Sequence, residues 1–142
     1  MKISSVEKLY TPEILGLAVG LSEYPLTGEY QYSGEARSKA CGSVVTAGFN
    51  LNGGGSVVQL GLQVTACAIG QASASIFASA AQGLRVSEIE KAHWQIEAWL
   101  QGNEEPDWPQ FSKLRSARAH RGRHGAIILP WTAALNALCR QA

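Results

Sequence analysis

Three cysteines, at positions 41, 67 and 139, are the side chains of this 142-residue sequence best suited to ligate a soft metal or to attack as nucleophiles. An odd, widely spaced set behind an N-terminus (MKISSVEKLY) without the apolar stretch of a signal peptide argues against a disulfide framework. Metal or thiol chemistry is the functional reading, and small buried hydrophobes are the plain one. No Ser/His/Asp triad or nucleotide fingerprint accompanies the thiols. Gly53-Gly54-Gly55 has no lysine or helix behind it and is a turn rather than a phosphate loop. An enzyme in the ordinary sense is not expected.

The elements around the thiols decide which of them can act together. From Ser43 the pattern has period two, with Val45, Ala47, Phe49 and Leu51 on one face. Beyond Asn52-Gly53-Gly54-Gly55, Val58, Leu60, Leu62 and Val64 alternate in the same way. A β-hairpin follows, with Cys41 just before its first strand and Cys67 just after its second, so both lie at the open end. Ala68 to Gln82, rich in alanine and serine, favours a helix packed closely on the sheet. Cys67 then heads a helix, where the macrodipole and free amides favour an anionic sulfur and a lowered thiol pKa.

The remaining elements are helical. Thr11-Pro12-Glu13 before Ile14, Leu15, Leu17 and Leu21 predicts a capped first helix. Pro25, Gly28 and Gly34 suggest a loop with one short edge strand near Glu29 to Ser33. Ser87 and Glu90 suit a capping box for a helix through Ile96 and Leu100, GNEEPDWP (102–109) ends it, and Phe111 to Leu114 fits a further turn. A last helix is predicted over Ala126 to Leu138. His93 reads as structural. The fold class is α+β: one domain over residues 1–142, with a small antiparallel sheet of about three strands and helices on one face.

In this order the chain resembles the U-type iron-sulfur cluster scaffolds, which include the NifU amino-terminal domain. Lys39-Ala40-Cys41-Gly42-Ser43 resembles the first ligand motif, in which aspartate normally follows the glycine. Ala66-Cys67-Ala68-Ile69-Gly70-Gln71-Ala72-Ser73 resembles the second, a cysteine opening a helix of small residues. Leu9-Tyr10 is similar to the family's start. The third motif, a cysteine after a basic stretch, aligns with Arg123 to Trp131, where Ala126 takes the cysteine's place or, one or two residues away, His124 approaches it. The long segment from Gly83 to Arg123 is more similar to the zinc-containing, sulfur-transfer branch.

The resemblance implies an assembly scaffold that holds an iron-sulfur cluster or iron, with zinc as the alternative, on Cys41, Cys67 and, as a third ligand, His124. A two-cysteine, one-histidine set leaves a position for water, Ser43 or a partner's thiol, and a homodimer could share a cluster, two cysteines from each copy. The implied partners are a cysteine desulfurase and cluster-accepting apoproteins. Other readings are a persulfide on Cys67 without metal, and a metal-free interaction module that keeps the fold. Cys139, about 20 Å of helix beyond Ala126, cannot replace the third ligand.

A formal net charge of +1 gives no global field to draw nucleic acid or an anionic membrane, and no stretch approaches the length of a bilayer span. The cytoplasm is the expected compartment. The tract Arg115, Arg118, His120, Arg121, Arg123 and His124 is a solvated loop or a dock for an acidic partner surface. Four tryptophans, Trp94, Trp99, Trp108 and Trp131, suggest core packing.

Overall fold

The computed structural model describes residues 9–139; the signal-peptide reading of the first residues lies largely outside them. Thr11 caps helix α1 (Pro12–Gly20), its hydroxyl accepting from the Ile14 N–H at 3.2 Å, and proline at the first helical position needs no donor. A 3-10 turn (Leu21–Glu23) leads to strand β1 (Tyr32–Arg37), then β2 (Val44–Leu51) and β3 (Val57–Thr65). Helices α2 (Ala68–Ala81) and α3 (Val86–Leu100), a 3-10 segment (Phe111–Ala119), a short turn (Arg121–Arg123) and helix α4 (His124–Leu138) complete the order.

The sheet is an antiparallel meander, β1-β2-β3. The register pairs Ala36 with Val45, Ala47 with Leu62 and Phe49 with Leu60, so these side chains share the inward face. α4 packs on β1 and β2, and α2 joins it to cover the sheet. A bulge beside Leu51 pairs that residue with Val57 rather than Val58. Val57 therefore turns inward and Val58, expected on the inner face, is 44% exposed. On the other face Gly48 and Gly61 leave room for the Tyr30 ring, which lies over both.

β1 lies three to four residues beyond the sequence expectation. At Gln31 the ladder is made by side chains: the Gln31 N–H donates to Asn50 Oδ1 and the Leu51 N–H to Gln31 Oε1, both at 2.8 Å. Gly34, read as a breaker, sits inside the strand because the α4 backbone at Asn136 and Ala137 lies where a Cβ would be. α3 also begins earlier than expected. Its capping contact runs from the Arg85 N–H to Glu88 Oε1 at 3.1 Å, not between Ser87 and Glu90.

The core between sheet and helices is aromatic. Phe77 stacks on Trp108 at 5.6 Å, and Trp131 meets Phe77, Trp108 and Phe111 edge-on. The Ser73 hydroxyl donates to the Ile127 carbonyl at 2.6 Å, two residues into α4 from its glycine. This buried bond ties α2 to α4 in the turns where Pro130, lacking an N–H, interrupts the helix ladder. The heads of these two helices are thereby fixed beside the open end of the hairpin.

Candidate functional site

The last pair of the β1-β2 ladder, Arg37 with Val44, is closed by the loop 38–43. The Ser38 N–H donates to the Ser43 carbonyl at 2.9 Å and the Gly42 N–H to the Ser38 carbonyl at 2.8 Å. Gly42 takes φ 71°, a left-handed turn that a side chain would strain. This turn holds the half-buried Cys41 thiol between two buried hydroxyls, Ser38 Oγ at 3.3 Å and Ser43 Oγ at 3.1 Å. Gly125, at the head of α4, packs against the Ser38 side chain.

Burial pushes the Cys41 thiol up, but the two serine hydroxyls, the Ser43 backbone N–H and the nearby Arg123 charge together outweigh it and hold its pKa below the ordinary value. Arg123 is itself positioned by Tyr10, whose hydroxyl accepts from its Nη2 at 3.1 Å. Cys67 occupies the N-cap position directly before α2 and makes no side-chain capping bond; its carbonyl accepts the Gln71 N–H at 2.9 Å. Because Thr65 pairs with Val44, the two cysteines leave the sheet side by side. They line one open cavity of about 260 Å³ with Gly42, Ser43, Thr65, Ala66 and Arg123.

The donor set meets half of a cluster's demand. Two thiol sulfurs suit iron or zinc, whereas an iron-sulfur cluster takes four ligands. Among the described residues no three His, Cys, Asp or Glu side chains converge. Ser43, where the resembled motif has aspartate, is engaged with Cys41 and supplies a hydroxyl in place of a carboxylate.

The structure does not bring His124 to the cavity of the thiols. It opens α4, and its Nε2–H donates to the Arg118 carbonyl at 2.6 Å. It lines a neighbouring hollow with Glu97, Gln101 and Ile128. Ala126 is 1% exposed and packs on α2 at Gly70, so the place of the third family cysteine is filled by helix-helix contact. Cys139 is exposed at the other end of α4, about 22 Å away by helical rise.

The sequence pattern puts Arg123 in a basic loop, and the fold makes it the charged residue of the thiol cavity. Its position directly before a glycine-containing helix start was the available signal. Much of the basic tract is engaged within the chain. Arg115 makes a bidentate pair with Glu105 at 3.0 and 3.1 Å, and Arg118 lies over the Trp99 ring at 5.7 Å. His93 bridges Glu97 and Thr132, each at 3.1 Å, in the structural role expected for it. Among the described residues no helix is long and apolar enough to cross a membrane.

Comparison with solved structures places the fold. The chain superposes on the crystal structure of a nitrogen-fixing NifU-like protein (N-terminal) from Brucella abortus with a TM-score of 0.84 and 26% identity, covering 98% of this chain and 100% of that one. It also matches a putative iron-sulfur cluster assembly scaffold protein for the SUF system from Fervidobacterium islandicum (TM-score 0.83, 20% identity, 92% and 97% covered). A hypothetical protein matches with a TM-score of 0.72 at 20% identity, over 89% and 97% of the two chains. No family model matches the sequence, and no curated protein matches it.

Proposed function

We propose that this chain, which has the U-type scaffold fold and resembles the NifU amino-terminal family along nearly its whole length, is a scaffold-like protein of iron-sulfur cluster assembly whose working groups are Cys41 and Cys67. The observation that carries the reading is their shared cavity at the open end of the sheet. The cluster or iron is cargo rather than a resident cofactor. With two thiolates per chain, the other two ligands come from outside it, most simply from a second copy related by a two-fold axis. A four-thiolate two-iron cluster carries net negative charge, and an Arg123 from each copy offsets it.

His124 is the further ligand candidate. With Nε2–H bound to a backbone carbonyl, Nδ1 keeps its lone pair, the second-shell arrangement common to metal-binding histidines. Joining the thiols requires the first turn of α4 to move. A cysteine desulfurase as sulfur donor and apoproteins as acceptors are the partners this role needs, and the cytoplasm is its compartment.

Anaerobic reconstitution with ferrous iron and sulfide tests the reading, followed by iron and sulfide analysis, visible absorption and the mass of the holo form. Roughly one iron per chain in a dimer is expected. Cys41→Ser or Cys67→Ser abolishes uptake, Cys139→Ser does not, and a parallel titration with zinc distinguishes that ion. Iron retention no greater than that of the Cys41→Ser/Cys67→Ser double variant would sink the proposal. A second reading is favoured by the lowered pKa of Cys41: its thiolate attacks the outer sulfur of a donor persulfide, releasing the donor thiolate and leaving Cys41 as the persulfide. Cys41 then gains one sulfur atom by mass spectrometry, and Cys41→Ser removes that gain.

A further inference from the structure

Trp94, on α3, is 69% exposed, whereas Trp99, Trp108 and Trp131 are 1%, 7% and 0% exposed. Trp94 lines a groove of about 570 Å³ together with Gln95, Ala98, Asn103, Glu104, Glu105 and Asp107. No lysine or arginine lines this groove. The Glu105 carboxylate is held by Arg115. Glu104 and Asp107 make no ion pair among the described residues, which leaves the groove with net negative charge next to an uncovered aromatic face.

The acidic wall is fixed in place. Asn103 donates from both its backbone N–H (3.1 Å) and its side-chain amide (3.0 Å) to the Ala98 carbonyl. Trp108 anchors the loop by donating from Nε1 to the buried Ile76 carbonyl at 2.9 Å. The loop leaves through Gln110 at φ 67°, a left-handed conformation costly for a residue with a side chain. A preformed groove spares a ligand the cost of ordering it. The groove also continues toward the thiols: Trp94, Ala98 and Asn103 border a hollow reaching Glu97 and Gln101, and these two line the hollow of His124 and Gly125, next to Arg123.

We propose that this groove docks an extended basic segment of a partner protein. A lysine or arginine stem lies across the Trp94 indole, where its charge meets the ring face, and its head reaches Glu104 and Asp107. The inference is independent of what the thiols carry.

The full chain titrated with an acetylated, amidated peptide of alternating arginine, serine and lysine tests it, with a glutamate-for-basic counterpart as control. Readouts are isothermal titration calorimetry, which serves the native chain and every variant alike, and the indole Hε1 resonance of Trp94 by NMR in the native chain. The basic peptide alone is expected to bind, more weakly as salt is raised. Trp94→Ala and Glu104→Gln/Asp107→Asn should each weaken binding by at least about fivefold. Thermal melts of these surface variants show that they remain folded. Absence of binding, equal binding by the acidic peptide, or unchanged binding by both variants would overturn the proposal. So would a concentration-dependent dimer abolished by Trp94→Ala, which would make the groove an interface between copies.

Discussion

Replacing Ser43 by alanine removes the hydroxyl 3.1 Å from Cys41 Sγ and leaves the backbone N–H of residue 43 in place. A hydrogen bond to a charged group contributes about 1.5–3 kcal/mol between buried partners. Cys41 is only half-buried, so water replaces part of the bond and about 0.7–1.4 kcal/mol remains, whose loss moves the thiol pKa upward. An energy of that size shifts the thiol-thiolate equilibrium about three- to tenfold against the thiolate. The remaining thiolate is more nucleophilic by the Brønsted slope, so on the acid side of its titration the alkylation of Cys41 slows roughly two- to fourfold. The assay is the pH profile of iodoacetamide labelling, resolved by mass spectrometry at each cysteine. Cys139 is the internal standard, because burial and the Glu90 charge push its thiol up. A Cys41 profile that stays in place, or moves to lower pH, would refute the assignment of the hydroxyl as a stabiliser of the thiolate.

The lowered pKa of Cys41 also enters folding: its contribution to stability is present above the unfolded pKa and lost as pH falls through the folded one. Urea stability of the native chain should accordingly rise with pH across that interval more than that of Cys41→Ser. Arg123→Glu replaces an attractive charge by a repulsive one and should move the Cys41 labelling profile upward, while Arg121→Glu, outside the cavity, leaves it unchanged. Gly34→Ala drives a methyl group into the α4 backbone and should cost at least about 2 kcal/mol by urea denaturation. Ser43→Asp with Ala126→Cys restores the ligand types of the resembled motif and should increase iron retained per chain on reconstitution. Retention equal to that of the native chain would show that burial of position 126 against Gly70 keeps a side chain there from the cavity.

The hairpin and the four described helices were legible because their signals are local: period-two apolar residues, a glycine turn, Thr11-Pro12 at a cap. Cys41 and Cys67 could be paired from sequence for the same reason, since strands of nearly equal length return the chain to its starting end. Gly34 misled, because a glycine that opens a loop and one that admits a helix backbone look alike in sequence. Val58 misled because a bulge beside Leu51 moves the inward position to Val57. Trp94 looks in sequence like the core tryptophans yet is exposed, since residue type does not say which side of α3 has a neighbour.

By itself, then, the sequence determined the α+β order of elements and the nearness of two thiols, both set by backbone periodicity and turn chemistry over short separations. Only the tertiary structure decided the character of the site. Arg123 enters the thiol cavity, His124 faces another hollow and Ala126 is sealed against Gly70 because of how α4 packs on α2 and β1. That packing depends on contacts such as Ser73 to Ile127, 54 residues apart, whose geometry no local pattern specifies.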